Sequence, residues 1–252
     1  MPRPRILFVP SLTELEWLIK PQLEQWADVA SFDAPGVGDE PRPQRFEREA
    51  VIQRALVELE RTGWDSCFIA CDSHGIPTGV GAAATWPGEV MGMALGHARL
   101  SDCTEGERAP VNKAVWDAMG QLLRNDYSAF VRYGLTQLTQ GSIGDELAKQ
   151  MLERVPMDVA QIAFENMQQT TASVEEALRE LDVPLLFVEH EGCIGGTEEG
   201  WEDAVAAFPE ARTRSVPEAP TVSSEFAEAL CSFCLEIAAS ESTIAPRETR
   251  PA

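Results

Sequence analysis

The chain has 252 residues, 44% of them hydrophobic, and a formal net charge of −21. That length and hydrophobic share are enough to bury a sizeable core, and fit one α/β domain with an insertion or two small domains. The charge excludes a protein that seeks nucleic acid or anionic membranes, because the basic residues are scattered and form no patch. No apolar run reaches about 18 residues, so no membrane span is expected. The N-terminal "MPRPRILFVP" carries only a short apolar piece bounded by proline, which reads as a first strand and not as a secretory signal. The six cysteines are therefore expected to be reduced, in the cytoplasm. Cys231 and Cys234 form a CxxC inside a helix-patterned segment and read as packing residues, as do Cys67 and Cys71.

In chain order, residues 5–10 are a short buried strand. Residues 14–26 carry Leu15, Leu18, Leu23 and Trp26 at helical spacing, with Pro21 near a helix start or a kink. Residues 28–33 are a second strand, followed by the Gly- and Pro-rich loop "APGVGDEPRPQ". An amphipathic helix over 45–63 ends at Gly63. Residues 66–72 are a strand, and "GIPTGVGAAATWP" (75–87) opens a helix of small residues that Pro87 stops. Residues 90–98 are another strand.

From about 101 to 180 the pattern is helical throughout. Strand character returns at 183–192, then a helix at 200–208, a strand at 211–217 and a helix at 223–240. Strands alternating with helices imply a mostly parallel sheet covered on both faces, and the helical block between two strands reads as a cap. The expected organisation is a discontinuous α/β core over 1–100 and 181–240, a helical cap over 101–180, and a polar, disordered tail over 241–252.

Four segments, in order and spacing, resemble the α/β-hydrolases with a helical cap. "ILFVPSLTELEW" stands where that family has its first core strand and oxyanion loop. "SFDAPGVGDEPRP" resembles its Asp-x-x-Gly-x-Gly loop, here Asp33, Gly36, Gly38 and Asp39. "FIACDSHG" resembles the strand and nucleophile elbow, and "VPLLFVEHEGCIG" the penultimate core strand. The elbow usually reads Gly-x-Ser-x-Gly, since its turn is strained and the next helix passes close. Here it is Cys71-Asp72-Ser73-His74-Gly75, and cysteine is small enough for the turn. The resemblance makes Ser73 the candidate nucleophile. It also makes the backbone N–H groups of His74 and Leu12 the candidate oxyanion donors, although Pro10-Ser11-Leu12 replaces the family's His-Gly-x.

The resemblance also implies a histidine after the last strand, and "SVPEAPTVSSEF" contains none. The three histidines are His74, His97 and His190. His97 and His190 both end predicted strands on the side of the sheet where ligands bind, so either is a candidate substitute base. Glu191 is a candidate acid or base near the position of the family's usual acid. Trp116, Tyr127, Phe130 and Tyr133 either line an apolar pocket above Ser73 or form the core of the cap.

Two functions follow. One is an atypical hydrolase acting on a small apolar ester, thioester, lactone or amide through Ser73, with a variant in which the pocket moves a proton as a lyase or cyclase. The other is a binding module that keeps the fold and pocket but has lost the triad. The first takes a small molecule as substrate; the second holds a small molecule or a protein partner. No cofactor is implied: "GVGDE" belongs to the hydrolase-type loop, not to a phosphate cradle, and there is no convincing metal cluster.

Overall fold

The computed structural model describes residues 2–9, 19–43, 47–98, 109–138, 145–167, 172–190, 198–217 and 223–243. Six strands form one sheet: β1 (Arg5–Val9), β2 (Asp28–Ser31), β3 (Ser66–Asp72), β4 (Glu89–Gly96), β5 (Leu185–His190) and β6 (Arg212–Val216). Their order is β2-β1-β3-β4-β5-β6, and every neighbouring pair is parallel. Parallel neighbours need crossovers, and helices supply them on both faces.

Strand alternation sorts the side chains between two layers. Leu7, Val9, Ile69, Cys71, Met93, Leu95 and Phe187 point to one face. There they meet α2 (Arg48–Thr62), α3 (Ile76–Thr85), α8 (Ala172–Leu181) and α9 (Glu198–Ala207). Ile6, Phe8, Phe68, Ala70, Leu186 and Val188 point to the other, against α1 (Lys20–Leu23) and α10 (Ser224–Thr243). The central strands are apolar on both sides because both sides are covered, and each fully buried large side chain contributes roughly 1.5–3 kcal/mol. The edge strand β6 differs: four of its five residues are exposed, with Arg212 and Arg214 among them, which discourages pairing with another sheet.

Four further helices, α4 (Ala109–Asn125), α5 (Tyr127–Leu138), α6 (Asp145–Arg154) and α7 (Met157–Met167), share a separate apolar cluster. Leu123, Val131, Leu135, Met151, Val159 and Phe164 fill it, and Ala34 and Val37 enter it from the loop after β2. Two ion pairs fasten the same loop to the bundle, Arg154 with Asp33 and Arg42 with Asp158. The Gly38 amide also donates to the Arg154 carbonyl at 2.8 Å.

Several boundaries move from those expected. The helix expected over 14–26 is described only from residue 19, and is the single turn α1, with Pro21 in its first turn where a missing N–H costs nothing. The helical run after 109 breaks at Asp126, whose carboxylate accepts from the Ala129 amide and caps α5. The helical block divides: α4–α7 pack on one another, whereas Val174 and Leu178 place α8 on the sheet. The tail was expected from 241, but α10 continues to Thr243, and residues 244–252 lie outside those described. No described helix is long and apolar enough to cross a membrane.

Candidate active site

β3 ends at Asp72, and Ser73–Gly75 form one turn of 3₁₀ helix that leads into α3. Ser73 has φ 44°, in the left-handed region. For a residue with a side chain that costs roughly 1–2 kcal/mol, so the turn is held by its surroundings. They are tight. A Cβ on Gly79 of α3 would run into the Cys71 sulfur, well inside van der Waals contact. Cysteine therefore fits at position 71 because α3 is bare opposite it. Cys71 is buried, and burial first, then the neighbouring Asp72 carboxylate, pushes its thiol far up from the ordinary value.

His97 stands on the adjacent strand end. Register pairs Asp72 with Gly96, so Ser73 and His97 are the next residues beyond paired positions on neighbouring strands. His97 is also left-handed, with φ 50°. Its amide donates to the Val188 carbonyl of β5 at 2.8 Å, and its ring Nδ1 lies 2.9 Å from Asp72 Oδ1. The Asp72 side chain is completely buried and that of His97 is 8% exposed, so the pair is shielded from water. The other left-handed residue with a side chain among the described residues, Asp182, follows the last turn of α8, where such a conformation is an ordinary helix ending.

The other expected site residues divide. The side chains of His74 and His190, and all of Leu12 and Glu191, lie outside the described residues. The backbone of His74 belongs to the described turn, and that of His190 ends β5 on the same sheet edge. Trp116 and Phe130 both pack on Phe164, at 5.2 and 6.0 Å between ring centres. Tyr127 stacks on Phe130 at 6.4 Å, and its hydroxyl donates to the Val155 carbonyl at 2.8 Å. Burial pushes the Tyr127 phenol up to about 12. These three rings are partly buried against the core of the α4–α7 bundle, and Tyr133 is 36% exposed.

After β6, the described chain resumes at Ser223, whose hydroxyl accepts from the Phe226 amide at 3.2 Å and caps α10. A depression of about 450 Å³ between Leu178, Arg179, Asp182 and Phe208 lies where the chain enters β5, at the edge of the sheet away from Ser73. Ligands of parallel α/β sheets bind at the other edge, where the strands end. Sequence reasoning missed Asp72. A carboxylate as the last residue of an apolar strand was the available signal, since such a group is buried only with a partner.

Solved structures align over nearly the whole chain. A haloalkane dehalogenase loop variant from Bradyrhizobium elkanii covers 96% of this chain and 92% of its own, at 13% identity and a TM-score of 0.73. An enol-lactonase from Burkholderia xenovorans LB400 covers 95% and 92%, at 17% identity and 0.69. MenH from S. aureus covers 93% and 94%, at 16% identity and 0.70. The chain has the α/β-hydrolase fold. No family model matches the sequence, and neither does any curated protein. Within the α/β-hydrolase fold the similar structures differ in their named activities, so the chemistry must be argued from the strand ends themselves.

Proposed function

We propose that the protein is a serine hydrolase of atypical construction, acting on a small ester, thioester, lactone or amide, with Ser73 as nucleophile and His97 as base. The observation that carries this reading is the pair of strained strand ends: Ser73 and His97, both left-handed, follow paired residues on adjacent parallel strands. Strain of this kind is retained where a side chain must be presented at a fixed angle. An enol-lactonase of the same fold adds a carbonyl substrate of this class to the comparison.

In the proposed reaction the Ser73 hydroxyl adds to the substrate carbonyl while His97 Nε2 takes its proton. The His74 amide, first in the turn after the nucleophile, donates to the developing oxyanion. Collapse expels the leaving group with the proton from His97, and water then releases the acid by the same steps in reverse. The α4–α7 bundle serves as the cap. Trp116, Tyr127 and Phe130 pack partly buried against its core, and the substrate class rests on the carbonyl chemistry of Ser73.

A fluorophosphonate probe read by intact mass tests the reading. The wild type is expected to gain one adduct and Ser73→Ala none, with His97→Gln slowed by orders of magnitude. A folded wild type that takes no label, as shown by a cooperative melt, would refute serine catalysis and leave the pocket to a ligand-binding role.

A further inference from the structure

The residue immediately before the candidate nucleophile is a buried acid that its surroundings only half satisfy. Asp72 ends an apolar strand, is fully buried, and shares its face with Phe68 and Ala70, on the α1 and α10 side of the sheet. Taking a carboxylate out of water costs several kcal/mol unless hydrogen bonds replace the lost solvation. One oxygen, Oδ1, meets His97 Nδ1 at 2.9 Å, and Oδ2 has no partner among the described residues. A half-satisfied buried acid is a poor stabilising device, and an apolar residue there would extend the core. Its geometry suits a different task.

We propose that Asp72 is the positioning residue for His97, so that nucleophile, base and orienting carboxylate come from two adjacent strand ends and not from three separate loops. This rests on the reading of Ser73 and His97 given above, and adds the residue that makes His97 competent. An ionised carboxylate only accepts, so the hydrogen of that bond sits on Nδ1. A neutral imidazole with Nδ1–H carries no hydrogen on Nε2, the form needed to take the serine proton. When Nε2 is protonated during the reaction, the carboxylate stabilises the imidazolium without itself moving a proton. The ring cannot turn away, because the His97 backbone is tied to Val188 on one side and its side chain to Asp72 on the other. Of the other ionisable groups on strands β3–β5 at this edge, Glu189 and His190 end β5, and on β3 Asp72 follows the buried thiol of Cys71.

The test uses the full-length protein and Asp72→Asn, which keeps shape and removes charge. In ¹⁵N spectra, with the His97 signals identified by their loss in His97→Gln, neutral wild-type His97 is expected to carry its hydrogen on Nδ1. In Asp72→Asn the hydrogen is expected to shift toward Nε2, and fluorophosphonate labelling at neutral pH to slow by about 10²–10⁴-fold, with the inflection of its pH profile displaced to lower pH. A packing role alone would move neither tautomer nor inflection. Wild-type His97 with its hydrogen on Nε2 overturns the proposal, as does an Asp72→Asn protein with unchanged tautomer and labelling rate. If Asp72→Asn does not fold, the wild-type tautomer still decides. If wild-type Ser73 takes no label while His97 shows the Nδ1–H form, the nucleophile reading falls and the orienting role of Asp72 stands.

Discussion

Replacing Gly79 by alanine tests why cysteine is tolerated at the first position of the Ser73 turn. An added methyl would overlap the Cys71 sulfur, while the next atoms, Ile69 Cγ2 and Cys71 Cβ, stand at 3.4 and 3.5 Å, ordinary contact. The conflict therefore involves one atom. Forcing an extra methyl into a packed core costs about 1–3 kcal/mol. Alanine is better than glycine inside a helix by about 1 kcal/mol, which offsets part of that. Gly79→Ala is thus expected to lose up to about 2 kcal/mol, a fall in Tm of up to about 8 °C for a chain of this size. In a Cys71→Ala background the sulfur is gone and its space receives the new methyl. The same change should then stabilise, so the two sites couple by about 1–3 kcal/mol. Urea denaturation of the four proteins of this cycle measures the coupling. Equal effects of Gly79→Ala in both backgrounds, within about 0.5 kcal/mol, would show that α3 can shift and that the pairing of small residues does not hold the turn.

Arg154→Met removes the guanidinium from the buried Asp33 carboxylate and one tie between α6 and the β2–α2 loop. A loss of about 1–3 kcal/mol is expected, with hydrogen exchange rising in α6 and not in α10; equal rises in both would argue against a local clasp. Glu58 is 3% exposed; burial raises its pKa, but Arg61 and then Arg54 outweigh that and hold it below the ordinary glutamate value of 4.5. A carboxyl depressed in the folded state adds stability above its unfolded pKa and loses it as pH falls through the folded one. Glu58→Gln should therefore flatten the acid limb of stability below about pH 4.5, measured by melts from pH 7 to pH 3. Burial pushes the thiol of Cys67 up to about 12 and those of Cys71 and Cys234 further. In the native protein a maleimide should reach the part-exposed Cys231 before these three, which should react only on unfolding, as peptide mapping would show.

The turn at Ser73 was legible because its signals are local: an apolar strand, a serine, then a helix of small residues. Gly63 closing α2 and the 66–72 strand were legible for the same reason, and both stand where expected. The residue proposed as base was not. His190 stood slightly ahead of His97 on the sequence, although each ends a strand at the same sheet edge. Asp72 drew no reading of its own, because nothing in the linear pattern says that a residue 25 positions later will face it. The aromatic residues of α4 and α5 show the same limit: helical spacing puts them on a face, but not against which partner.

Local chemistry along the chain thus determined where strands and helices form, that the sheet is parallel and covered on both faces, and that the expected C-terminal histidine is missing. Those properties depend on periodicity, on proline and glycine, and on composition, all carried by neighbours in sequence. Tertiary structure alone decided that Asp72 meets His97, that α8 joins the sheet rather than the α4–α7 bundle, and that Gly79 makes room for Cys71. Each depends on strand register and helix placement, which come from burying the whole apolar surface at once.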